Sequence, residues 1–168
     1  PGSGTIQDDV PDGWVYNAGD KGAGDYYQAC QAGDAVYREM QWIYDRVGWY
    51  RSKVRIQWPI EDWPHSHGDY IHIPGSWGWD HVTMQHEDGH CVLWTLYGNS
   101  WPEGCGFCSH WIGMEDPHLP DAWNEGWAEF MSAAVDGNPN NLQGNGQNIE
   151  TNTWWDWQDA AFFDGYCI

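Results

Sequence analysis

The chain predicts an α+β fold, a small mixed sheet packed with helices, on three observations. Val36, Met40, Ile43 and Val47 recur at helical spacing. Two stretches, Lys53 to Trp58 and Asp69 to Ile73, alternate in the period-two manner of half-buried strands. Two further segments, each opened by an aspartate and closed by a glycine, carry the punctuation of capped helices. The 168 residues suffice for one domain with its own core.

Residues 1–12 are rich in Gly, Pro and Asp without a period and read as a linker, leaving 13–168 as the domain. Asp25 to Val47 is expected to be helical, with Val36, Met40, Ile43 and Val47 on its inner face and Gly48 closing it. Lys53 to Trp58 is expected to be a strand that Pro59 ends. A Pro-containing loop follows, in which His65 and His67 read as solvated side chains. Asp69 to Ile73 gives a second strand, Ile71 and Ile73 facing one way and Tyr70 and His72 the other, before Pro74 and Gly75 break it.

Asp80 can cap a helix that runs to Tyr97 and stops at Gly98, a residue type suited to the left-handed turn past a helix end. A loop rich in Cys, Gly and Pro, Asn99 to Pro120, leads to Asp121 as a second cap and a helix to about Val135, ended by Asp136 and Gly137. An Asn- and Gly-rich loop and the aromatic segment Trp154-Trp155-Asp156-Trp157 complete the chain. Its closing residues, Asp164 to Ile168, resemble neither a helix end nor a natural stop, so further C-terminal sequence is expected.

Charge excludes whole classes of partner. Twenty-five acidic side chains against 6 basic ones give a formal net charge of −19, which repels a phosphate backbone and an anionic lipid surface alike. No apolar run approaches the roughly 20 residues that span a bilayer. Nucleic-acid binding and membrane insertion are therefore not expected. The 5 cysteines, with the abundance of Trp and Gly, point to a secreted or extracellular protein containing disulfides.

The segment His86-Glu87-Asp88-Gly89-His90 matches H-E-x-x-H. On a helix its two imidazoles project from one face a turn apart, the spacing two ligands of a single tetrahedral zinc ion require. A catalytic zinc takes three protein ligands and keeps a position for water. The best third ligand is Glu125, in Asn124-Glu125-Gly126-Trp127-Ala128-Glu129-Phe130, at the start of the next helix. Glu129, one turn on, suits a hydrogen bond from the remaining ring nitrogen of a ligating histidine. The exchange of roles, Glu129 on the metal, stays open. Glu87 is the candidate general base. An oxyanion donor could come from His110, His118, Tyr97 or Tyr166, with His110 preferred. Asp88 and Gly89 are unusual inside such a helix, since an interior Gly costs up to about 1 kcal/mol relative to Ala.

The paired motifs, His-Glu-x-x-His on one helix and Asn-Glu-Gly-Trp-Ala-Glu-Phe on the next, resemble those of the gluzincin metallopeptidases over about Asp25 to Val135. The resemblance implies a zincin-like fold, Zn2+ as cofactor and hydrolysis of peptide bonds in extracellular proteins or peptides, with endopeptidase action expected. It implies Glu125 as third ligand, with Asn124 before it and Glu129 behind it as supporting residues. It also implies that Asp69 to Ile73 is an edge strand packed on the motif helix and pairing with extended substrate. A second reading, from a different class, is a non-catalytic extracellular structural or binding module that retains the metallopeptidase fold. An intact Glu87 favours the enzyme, because a structural site needs no base.

Other features have plainer readings. Cys105 and Cys108, with His110 and His118, could hold a structural zinc, but a disulfide framework is preferred, with Cys91 fastening the loop to the motif helix. Fifteen Trp residues could stack on sugars, yet core packing is the stronger expectation.

Overall fold

The structure, a computed structural model, describes residues 5–6, 16–17, 23–51, 54–60, 63–77, 80–102 and 119–140. Two short strands, β1 (Thr5–Ile6) and β2 (Tyr16–Asn17), pair antiparallel within the segment read as a linker and just after it. The long helix α1 (Ala23–Val47) follows. Val36, Met40 and Ile43 face the core together with Ala29, Ala32 and Ala35. Val47 departs from that stripe. It is 69% exposed, because the last turn of α1 runs past the elements it packs on before Gly48, at φ +67°, turns the chain.

Strands β3 (Arg55–Ile60), β4 (His65–Ser66) and β5 (Tyr70–Pro74) form a mixed sheet in the order β3-β5-β4, parallel between β3 and β5 and antiparallel between β4 and β5. Pro59 does not end β3 as expected. The strand lies at the sheet edge, where a missing N–H is tolerated, and the register shifts between Gln57 and Ile60 to accommodate it.

The edge-strand expectation for Asp69 to Ile73 is likewise corrected. β5 is the middle strand, because the chain reverses at His67, Gly68 and Asp69 and lays β4 against Ile71 and His72. His67 N–H donates to the Tyr70 carbonyl at 2.8 Å, and Gly68 adopts φ +89° beneath the Trp94 ring, where a Cβ would sit 2.7 Å from ring carbons. The alternation itself holds: Ile71 and Ile73 are fully buried, and Tyr70 and His72 only partly.

After a 3-10 turn at Gly75–Trp77 comes α2 (His81–Leu96). Asp80 caps it as expected, accepting from Val82 N–H and Thr83 N–H at 3.1 and 3.2 Å, and Gly98 at φ +75° follows its end. The third helix, α3 (Leu119–Asp136), begins earlier than expected, so Asp121 lies within its first turn and Pro120 takes an early position that needs no N–H. A carboxylate there still complements the helix dipole.

α2 is the central element, covered by β5 and β4, by α1 and by α3. Every residue from Val82 to Leu93 is buried, which is why the polar part of the motif is enclosed. Several tryptophans, Trp42, Trp49, Trp58, Trp77 and Trp127, pack against the core as expected, whereas Trp63 is exposed. A polar tie links α1, α2 and α3: His81 Nε2 and Asp136 Oδ2 are 2.7 Å apart, and Arg38 Nη1 reaches Asp136 Oδ1 at 3.7 Å.

Gly89 is explained by the contact of α2 with α3. A Cβ at this position would meet the Ala128 Cα at 3.1 Å and the Met131 Cβ at 3.2 Å, and Trp127 Nε1 donates to the Gly89 carbonyl at 3.0 Å. Gly89→Val should therefore destabilise the domain by about 1–3 kcal/mol through overpacking. Urea unfolding checks this, and an unchanged midpoint would contradict the close helix contact.

Candidate metal centre

His86 and His90 project from α2 one turn apart, with Nε2 atoms 3.1 Å from each other and rings perpendicular. Glu125, from the first half of α3, brings Oε2 to 3.2 Å from His86 Nε2 and 3.4 Å from His90 Nε2. Ligands at about 2.0–2.1 Å from a tetrahedral zinc ion stand about 3.3–3.4 Å apart. The three donor atoms thus already occupy three corners of such a tetrahedron, and their two imidazoles and one carboxylate are a donor set that suits zinc.

The opposite ring nitrogens are held as a ligand pair requires. His90 Nδ1–H donates to Asn124 Oδ1 at 3.1 Å, which leaves the lone pair on Nε2. His86 Nδ1 lies 3.1 Å from Glu129 Oε1, a charge contact oblique to ideal hydrogen-bond geometry. Asn124 and Glu129 therefore each serve a different histidine, and Glu129 stands behind the ring, away from the Nε2 corner that Glu125 shares. Burial lowers the pKa of His86, yet Glu125 and Glu129 outweigh it and hold the imidazole well above its usual range.

Glu87 is buried between the two histidines in sequence. Burial raises its pKa, the two imidazoles oppose that rise, Glu125 adds to it, and His65 from β4 also reaches it electrostatically.

A second polar layer, not anticipated from the sequence, lies beneath this centre. Asp88, which points away from the histidines into the core, is fully buried, and Arg51, from the segment after α1, places Nη2 3.4 Å from Asp88 Oδ1. Glu39 of α1 is fully buried and interacts electrostatically with Asp88, Arg51 and His86. Burial pushes Glu39 well above the usual carboxylate range and raises Asp88 too, with Arg51 opposing both. This layer explains the second oddity of the motif: an aspartate sits inside it because a buried guanidinium faces it.

Of the remaining expected residues, Tyr97 forms the C-terminal cap of α2 and is exposed, at the far end of the helix. His110, His118, Tyr166, Cys105 and Cys108 lie outside the described residues. Cys91 does not fasten a loop. It is a buried free thiol whose Sγ lies 3.1 Å from Ser66 Oγ, and burial pushes its pKa up to about 12.

His65 and His67 are not simply solvated. They join His72, across the hairpin, in a three-imidazole cluster. The signal for it was present: a His-x-His pair, a reversal at Gly68, and a third histidine at an alternating position of the returning strand.

An α+β core that gathers two histidines and a glutamate from adjacent helices around one point defines a candidate metal centre on a small mixed sheet. The chain belongs to the family described as Mycolysin C-terminal domain, which matches residues 40–165. That span contains both histidines of the motif, Glu87 and Glu125, and the match relates the chain to a metallopeptidase family. Neither a curated protein sequence nor a solved structure matches the chain. Among the described residues no helix is long and apolar enough to cross a membrane.

Two outcomes test the buried layer. Arg51→Met leaves Asp88 without its partner and should cost about 3–5 kcal/mol in denaturant unfolding. Glu39 has a folded pKa above its unfolded value of about 4.3, so its contribution to stability is fully present below that value and is lost as pH rises through the folded pKa. In chelator-treated protein, the urea midpoint of Glu39→Gln relative to wild type should therefore climb steadily as pH rises from acid toward neutral. A difference independent of pH would show that Glu39 titrates normally.

Proposed function

We propose that the chain is a secreted, zinc-dependent peptide hydrolase of the gluzincin type, with His86, His90 and Glu125 holding the metal and Glu87 acting as general base. The observation that supports it is the convergence of His86 Nε2, His90 Nε2 and Glu125 Oε2 at tetrahedral spacing beside a buried carboxylate. Bound zinc would supply Lewis acidity, lowering the pKa of a water and polarising the scissile carbonyl. Glu87 takes the proton from the attacking water and passes it to the leaving amine. Asn124 and Glu129 keep the ligating rings in one tautomer and orientation. The substrate is an extended peptide or an extracellular protein. The short edge strand β4, rather than β5, is the strand beside α2 with an unpaired side for it among the described residues.

The family description, a C-terminal domain, favours one competing reading, a non-catalytic module that keeps the metal for stability. The two separate cleanly on Glu87. Hydrolysis of an unfolded protein substrate should fall by at least about 100-fold in Glu87→Gln with zinc content unchanged, the scale of a lost general base. Glu125→Ala should lose zinc and activity together. Equal hydrolysis by wild type and Glu87→Gln would defeat the enzyme assignment, and metal-loaded wild type without hydrolysis would favour the module.

A further inference from the structure

His65, His67 and His72 form a second cluster that shares no residue with the centre on α2 and α3. His65 is on β4, His67 begins the reversal after it, and His72 is on β5 directly opposite His65 in the antiparallel register. Residues so paired carry side chains on the same face of the sheet, and His67, two positions beyond His65, lies on that face as well. The three rings sit edge to face, with centroids 4.5 Å apart for His65 and His72 and 4.8 Å apart for each of the other two pairs. His65 Nε2 and His67 Nε2 are 2.9 Å apart, and each of the three rings offers a nitrogen within 4.8 Å of the others.

We propose that this cluster is a second metal site, selective for a borderline divalent transition ion such as Zn2+ or Cu2+, open to solvent on the side of His67. Three observations carry it. His65 Nδ1–H donates to the Trp63 carbonyl at 2.7 Å, which fixes the tautomer and turns the Nε2 lone pair toward His67, the arrangement a ligating histidine adopts. Two nitrogens at 2.9 Å need a shared proton or a shared cation between them, and opening that distance by about 0.4 Å accepts an ion with bonds of about 2.0–2.1 Å. Tyr70 stacks on the His67 ring at 4.4 Å between centroids, nearly parallel, while Gln57 hydrogen-bonds His72 Nε2. These contacts hold two of the three rings, so little side-chain freedom remains to be lost on binding.

Gln57 determines how the third ligand would be offered. His72 can coordinate through Nε2 only where the ion displaces the Gln57 amide. Imidazole-only donors exclude Ca2+ and Mg2+, which take oxygen ligands, and favour Cu2+ and Zn2+. The fourth position would be filled by water or by a donor from a ligand. This inference does not depend on the proposed function of the buried centre.

The test is metal stoichiometry and affinity in the whole chain. Wild type, His67→Ala and the milder His67→Asn are stripped, then dialysed against buffered Zn2+ or Cu2+ in excess Mg2+, which occupies the acidic surface. His67 is exposed, so both variants should fold, and far-UV circular dichroism confirms that they do. Each variant should bind one equivalent fewer than wild type, or bind that equivalent at least tenfold more weakly. His86→Ala should lose a different equivalent and keep this one. Cu2+ electron paramagnetic resonance of His86→Ala should show hyperfine coupling to several imidazole nitrogens, absent once His67→Asn is added. Unchanged stoichiometry and affinity in both His67 variants would overturn the second site, whatever the buried centre holds. Loss of metal in His86→Ala alone would support only that centre.

Discussion

Gly89 and Ala128 let α2 and α3 approach closely, and the positions of His86, His90 and Glu125 depend on that contact. A Cβ at Gly89 would crowd the Ala128 Cα at 3.1 Å and the Met131 Cβ at 3.2 Å, so the two helices lie closer here than most side chains permit. Trp127 fixes their relative rotation by donating to the Gly89 carbonyl. One turn of α3 before Ala128 lies Asn124 and beside it Glu125, and immediately after Ala128 comes Glu129. Three polar side chains are thereby set against His86 and His90 by packing among apolar ones. A helix separation larger by one methyl group would carry Glu125 off the corner it shares with the imidazoles.

The second constraint is the cap and cover of α2. Asp80 starts the helix, and its buried span would have no reason to be polar if only one side met the core. Instead β4 and β5, α1 and α3 each cover part of it. The hairpin is held down by small, specific contacts: Trp94 over Gly68 and Ser66 against Cys91. Its histidine face consequently stands near the motif, which is why His65 acts on Glu87. The sheet and the buried centre are therefore coupled electrostatically as well as by packing.

Much of this was legible in the residues, for identifiable reasons. Helix punctuation at Asp80 and Gly98, and the period-two alternation of Ile71 and Ile73, are local signals, and they survive in the structure. The histidine spacing in the motif is local too, and Glu125 was placed by its position in the next helix. What was not legible needed partners distant in sequence. Pro59 reads as a strand terminator until β3 is known to lie at an edge. The family resemblance makes Asp69 to Ile73 an edge, until β4 folds back over it. Arg51 and Glu39 carry no motif, and only the packing of α1 under α2 discloses that they meet Asp88. Val47 fits the helical stripe, but a stripe does not say where the core stops. His65 and His67 look like solvated loop side chains in the sequence, but a strand pairing turns them into neighbours of His72.

Electrostatic balance gives the strongest internal reason to expect a cation at the buried centre. Glu39, Glu87, Asp88, Glu125 and Glu129 are all buried around α2, and among the described residues Arg51 is the buried guanidinium that answers them. Carboxylates removed from water require compensation, and two neutral imidazoles supply none. Without an ion, protons would have to do that work: Glu125 and Glu129 raise the pKa of His86 against its burial, and burial raises those of Glu39, Asp88 and Glu87. A divalent ion held by His86, His90 and Glu125, as proposed, would replace the proton on His86 and add charge beyond it, which would link its binding to proton release and to stability of the folded state. The same acids that make the domain costly to fold empty would thus be the ones that favour folding around the proposed metal.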